Sequence, residues 1–184
     1  MSNPRIEFQF APDRPPLPAP NGRSLIVQVV INVEHWPFDQ PMPRAILPPP
    51  HGAVATPDVP NFSWVEYGMR CGLPRILDLL TERDIPAVAS INAAVVEVYP
   101  RAAEAILKAG WEFMGHGVRQ ETLHKASDEG AVITEAIARL TAFTGTRPRG
   151  WLGPGLQETN RTPEFSSEPA WITFVTGPST TYRR

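Results

Sequence analysis

A chain of 184 residues with 42% hydrophobic content holds one domain with a real core and is too short for two ordinary ones. Its 17 basic and 19 acidic residues alternate and leave a formal charge of −2, so no basic face is offered to a phosphate backbone and nucleic acid is excluded as a partner. No stretch nears the apolar length of a membrane span, residues 1–23 lack a signal-peptide core, and Cys71 is the single cysteine; the expectation is a soluble cytoplasmic protein without membrane contact.

Residues 1–23 read as an extended arm. The 22 prolines gather in 12–20, 37–60 and the tail, where they predict ordered loops instead of regular elements. Residues 24–34, SLIVQVVINVE, are β-branched and almost continuously apolar, as in a strand buried on both faces of a parallel sheet. Over 69–83, Leu73, Ile76, Leu77 and Leu80 fall at i, i+3, i+4 and i+7, the stripe of a helix packed on one side. A strand follows at 86–91. Ala102, Ala105, Ile106 and Ala109 mark a second helix stopped by Gly110, and the strand 111–115 comes at once. Asp128 caps a third helix carrying Val132, Ala136, Ile137 and Leu140 and ending at Gly145, before a short strand near 149–153.

Strands alternating with helices predict an α/β fold of parallel βα units. Four to five strands cannot close an eight-stranded barrel, which leaves an open doubly wound sheet or part of a barrel. In either case the site lies beyond the carboxyl ends of the strands. There the sequence is polar: Asn32-Val33-Glu34-His35-Trp36 ends the first strand, Gly115-His116-Gly117 the third, and Trp151 to Gly155 follow the fourth. A carboxylate and two imidazoles at one mouth suit water activation, as general base and acid or as metal ligands. An isolated Glu34 or His116 would read as a solvated strand end; two such ends together favour a shared site. His51 reads as surface, His124 as a loop position as readily as a distant ligand, and the acceptor patterns at Asn61 and Asn160 as chance.

Asn32 to His35, Tyr67-Gly-Met-Arg70-Cys-Gly72, Gly110 to Gly117 and Thr144 to Trp151 resemble, in order, the motifs of the polysaccharide deacetylase (NodB homology) family over about residues 24–158. The likeness is nearest to its allantoinase-like branch. It implies a partial, distorted (β/α) barrel over 24–158, an atypical tail over 159–184, and a hydrolase of non-peptide C–N bonds acting on a carbohydrate or a ureide or amide. The alternative is an inactive fragment or binding module of the same family.

Carried over by position, the resemblance puts Glu34 at the catalytic base and His35 at a metal-binding aspartate, with His116 as the first histidine of a His-x-x-x-His motif. The second histidine is Gln120 here, and the arginine of the third motif is missing at Trp151-Leu-Gly-Pro-Gly155. His35 and His116 with an oxygen ligand are the set that would hold zinc or a similar divalent ion; a metal-free site is the expectation, since the allantoinase-like branch resembles metal-independent enzymes. Arg70 is the candidate anchor for a carbonyl-rich or anionic substrate, and Trp36 and Trp151, with Trp64, candidate pocket walls.

Beyond Glu158 the resemblance stops. One further strand is expected at 172–175, between Pro169 and Pro178, and the abrupt change suggests a truncated or frame-altered product. A strand edge left unclosed by a short barrel is one that a second copy could cover.

Overall fold

The computed structural model describes residues 8, 10–13, 20–23, 25–49, 52, 54–165, 173–175 and 181–182; His51 lies outside them. Strand β1 (Val29–Val33) leads through a long loop to helix α1 (Val59–Tyr67), a π-turn (Gly68–Gly72) and α2 (Leu73–Glu82). Next come β2 (Ala87–Ile91), α3 (Val95–Val98), α4 (Pro100–Lys108), β3 (Glu112–Gly115), α5 (Glu129–Thr144), β4 (Gly150–Leu152), α6 (Thr162–Phe165), β5 (Thr173–Val175) and β6 (Thr181–Tyr182).

Among the described residues six strands form one sheet in the order of the chain, β1 to β6. β1 through β5 pair in parallel, and only β6 runs antiparallel. A doubly wound sheet reverses its strand order at a switch point; this one never reverses, which is the arrangement of consecutive βα units in a barrel. The strand expected at 172–175 is present as β5 and belongs to the same sheet as the rest.

The helices follow from local chemistry. Asp58 accepts a hydrogen bond from the Asn61 amide at 3.2 Å and Pro60 occupies the first turn, so α1 begins inside a proline-rich stretch that was expected to hold no regular element. Asp128 caps α5 through the Ala131 amide at 3.0 Å, and Gly145 ends it at φ 72°, a backbone that L side chains rarely adopt. Leu73, Leu77 and Leu80 on α2 and Ile133, Ala136, Ile137 and Leu140 on α5 turn inward against Ala89, Ile91, Phe113 and Trp151 of the sheet.

β1 departs from its expected burial. Its residues alternate between partly buried and exposed up to Val33, and the preceding Leu25, Ile26 and Val27 are exposed. The reason is position: among the described residues β1 pairs only with β2 and so is an edge strand, with no neighbour to cover its far side.

Candidate active site

The parallel register brings the ends of β1, β2 and β3 to one rim, because Val33 pairs with Ile91 and Ile91 with Gly115. Glu34 and His116, each one residue beyond its strand, meet there. Glu34 Oε1 stands 3.5 Å from His116 Nε2, an ion pair whenever the imidazole is protonated. Glu34 Oε2 accepts a hydrogen bond from Trp36 Nε1 at 2.7 Å.

His116 is 1% exposed, and its Nδ1 lies 2.6 Å from the Leu152 carbonyl at the end of β4. A carbonyl only accepts, so Nδ1 carries the proton and Nε2 is the nitrogen turned to Glu34. Burial pushes the Glu34 carboxyl up, but the His116 and Trp36 hydrogen bonds and the charges of His116 and Arg44 more than offset this and hold it below the ordinary value. Glu34 is therefore a carboxylate at neutral pH, with its side chain still 20% exposed to solvent.

His35 points elsewhere. Its ring meets Tyr99 edge-on at 5.9 Å, and burial and the charge of Arg119 push its imidazole below the usual histidine range against the opposing charge of Glu66. Its main chain is held at both polar atoms: the amide donates to Asn92 Oδ1 at 2.9 Å, and the carbonyl accepts from the Gln120 amide at 3.0 Å. Asn92 Nδ2 in turn donates to the His116 carbonyl. Asn92, fully buried, thus touches the main chain on both sides of the Glu34–His116 pair, and nothing in the motif pattern had singled it out.

The three expected substrate contacts take different places in the fold. Trp151 is 0% exposed, part of the core and paired with Gly115 of β3, next to His116 in the chain. Trp36 is 6% exposed and supports the Glu34 carboxylate through its indole N–H. Arg70 is exposed and paired with Glu66 at 2.6 Å; it lines a cavity of about 1030 Å³ between α2 and α4, whose lining includes neither Glu34 nor His116. Trp64 is likewise exposed, on α1, and His124 lies exposed in a short turn.

For a metal, the donor set falls short. His116 Nε2 and Glu34 face each other, His35 turns to Tyr99, and Gln120 supplies a buried amide where a second histidine would stand. Among the described residues no three His, Cys, Asp or Glu side chains form a group able to hold an ion.

One carboxyl went unnoticed in the sequence. Glu158, in the loop after β4, is pushed up to about 7 by burial and by the charge of Glu129, against a hydrogen bond from the Gly153 backbone. Its Oε1 is buried without a partner.

A parallel βα sheet thus carries a carboxylate and an imidazole at the ends of its first and third strands, where ligand sites of parallel α/β folds lie. The polysaccharide deacetylase family model matches residues 61–168, more than half of the 184, and the chain belongs to that family. The matched residues include His116 and begin after Glu34, whose place beside His116 is given by geometry. A peptidoglycan deacetylase of Helicobacter pylori (strain ATCC 700392 / 26695) is 26% identical over 117 residues, 62% of this chain and 39% of that protein. A probable polysaccharide deacetylase from Pseudomonas aeruginosa PAO1 superposes with a TM-score of 0.63 at 26% identity, covering 80% of this chain and 52% of that one. The Puue allantoinase structure superposes with a TM-score of 0.63 at 28% identity and the same coverage, 80% and 52%. The chain thus spans about half the length of these two structures and less of the curated relative.

Proposed function

We propose that the protein hydrolyses a non-peptide C–N bond of a small amide, ureide or N-acetylated sugar, with Glu34 as the base that activates water. The observation that carries this reading is the Glu34–His116 contact: an ionised, partly solvated carboxylate 3.5 Å from an imidazole whose other nitrogen is tied to a carbonyl. Water gives a proton to Glu34 as its oxygen bonds to the substrate carbon. His116, when protonated at Nε2, offers a hydrogen bond to the oxyanion of the tetrahedral adduct. The C–N bond then breaks, and the nitrogen leaves with the proton that Glu34 had taken.

Two relatives frame the substrate choice, one titled a peptidoglycan deacetylase and one an allantoinase. Gln120 and the incomplete donor set favour the ureide or amide side and chemistry without a metal. A partial (β/α) barrel and a cytoplasmic setting belong to the same reading. The test is turnover of allantoin and of small N-acetylated sugars, with and without chelator. Chelator-resistant turnover of allantoin supports the reading; chelator-sensitive release of acetate would move it to a metal-dependent deacetylase, and no turnover by folded protein would favour a binding module.

A further inference from the structure

The main-chain ladder between β1 and β2 ends at Val33 and Ile91, and that between β2 and β3 at Ile91 and Gly115. Glu34 and His116 sit one residue past those rungs. Main-chain bonds still reach across: the Asn92 amide donates to the Val33 carbonyl and the His116 amide to the Ile91 carbonyl, each at 3.1 Å, the Ala93 and Ala94 amides donate to the Gly117 and Val118 carbonyls at 2.9 Å each, and the Gln120 amide donates to the His35 carbonyl at 3.0 Å. A side chain adds to them. Asn92 Oδ1 accepts from the His35 amide at 2.9 Å on the β1 side, while its Nδ2 donates to the His116 carbonyl on the β3 side.

A carboxamide has the acceptor and donor of a peptide group, so here a side chain joins the His35 amide to the His116 carbonyl, beside the main-chain bonds of the same rim. The orientation of the amide is forced, because the His35 N–H can only donate and the His116 carbonyl can only accept. Asn92 is 0% exposed, which removes water as a substitute for either bond. The residues held are His35, one step from Glu34, and His116 itself.

We infer that Asn92 is a positioning residue, whose carboxamide bridges β1 and β3 and sets the distance between the Glu34 carboxylate and the His116 imidazole. This rests on the proposed hydrolytic role of that pair. Asn92 touches no reacting atom; it acts through the two main chains that it joins. Aspartate in its place keeps the shape and the acceptor for His35 but loses the donor to His116, so the two halves of the bridge can be separated.

The test compares the protein with its Asn92→Asp variant in steady-state hydrolysis and in nitrogen NMR of the His116 ring. The expected result is a folded variant whose kcat falls by about 100-fold with KM little changed, as for a catalytic pair displaced by a fraction of an ångström to an ångström, and whose His116 Nδ1–H signal moves or broadens. If Asn92→Asp fails to fold, Asn92→Ala, which removes both bonds without adding a charge, is measured in the same way. A folded variant with unchanged kcat and an unmoved His116 signal overturns the inference. The NMR arm keeps it testable apart from the function: a moved ring signal supports the bridge even if neither substrate class is turned over, an outcome that counts against the hydrolase reading alone.

Discussion

Replacing Glu158 by glutamine is expected to stabilise the fold at alkaline pH and to leave it nearly unchanged in mild acid. The carboxyl lies in the loop after β4, close enough to the backbone that a Cβ on Gly153 would stand 2.7 Å from Glu158 Cγ, and its Oε1 is buried without a partner. Burial and the nearby Glu129 raise its titration from the ordinary 4.5 to about 7, against the Gly153 backbone bond. Between those values the folded state binds more protons than the unfolded, so the contribution is fully present below the unfolded value and is lost as pH rises through about 7. At roughly 1.4 kcal/mol per unit the loss has an upper bound of about 3 kcal/mol, and because the carboxyl keeps contact with solvent, screening reduces it to about 1–2 kcal/mol. Urea unfolding of both proteins at about pH 5 and about pH 8 isolates this one group, since all others cancel in the difference. The variant should gain about 1–2 kcal/mol on the parent between the two conditions. A difference that does not change with pH would refute the reasoning.

Other perturbations have equally definite outcomes. Gly115→Ala would put a Cβ 2.6 Å from Cε3 of the fully buried Trp151, and should cost about 1–3 kcal/mol in denaturant unfolding with a changed near-ultraviolet tryptophan signal. Asn61 holds the long loop onto α1, its Oδ1 accepting from the Ile46 and Leu47 amides at 2.7 Å each and its Nδ2 donating to the Leu47 carbonyl at 3.0 Å; Asn61→Ala should cost about 2 kcal/mol and speed proteolysis within 37–58. Glu34 has its folded titration lowered, so its stabilisation is present above the ordinary value of 4.5 and is lost as pH falls through the folded one. In Glu34→Gln that portion of the acid loss should vanish from the unfolding profile.

Much of the fold was legible because the elements announce themselves locally. Asp128 before α5 and Gly145 after it, with the inward row of Ile133, Ile137 and Leu140, follow from capping and helical period alone. What period and composition do not carry is who lies beside whom. The run through β1 reads the same whether one neighbour or two cover it, and among the described residues one does. α1 was hidden by a proline that a first helical turn tolerates. At the site, polar residues at strand ends led to Glu34 and His116, while the burial of Trp151 and Trp36 is a three-dimensional fact that the sequence does not carry. Arg70 was legible as a turn residue, whereas its engagement by Glu66, four residues earlier, needed the geometry of the turn. Asn92 and Glu158 carry no spacing signal at all, since each draws its character from residues distant in the chain or from burial.

The direct test of the central claim is the rate of C–N bond hydrolysis by the protein and by its Glu34→Gln variant, compared on the better of allantoin and a small N-acetylated sugar. A glutamine keeps the shape and the bond from Trp36 but cannot take a proton from water, so kcat should fall by about 100-fold or more with folding intact. A Glu34→Gln protein that hydrolyses the substrate as fast as its parent would contradict the account.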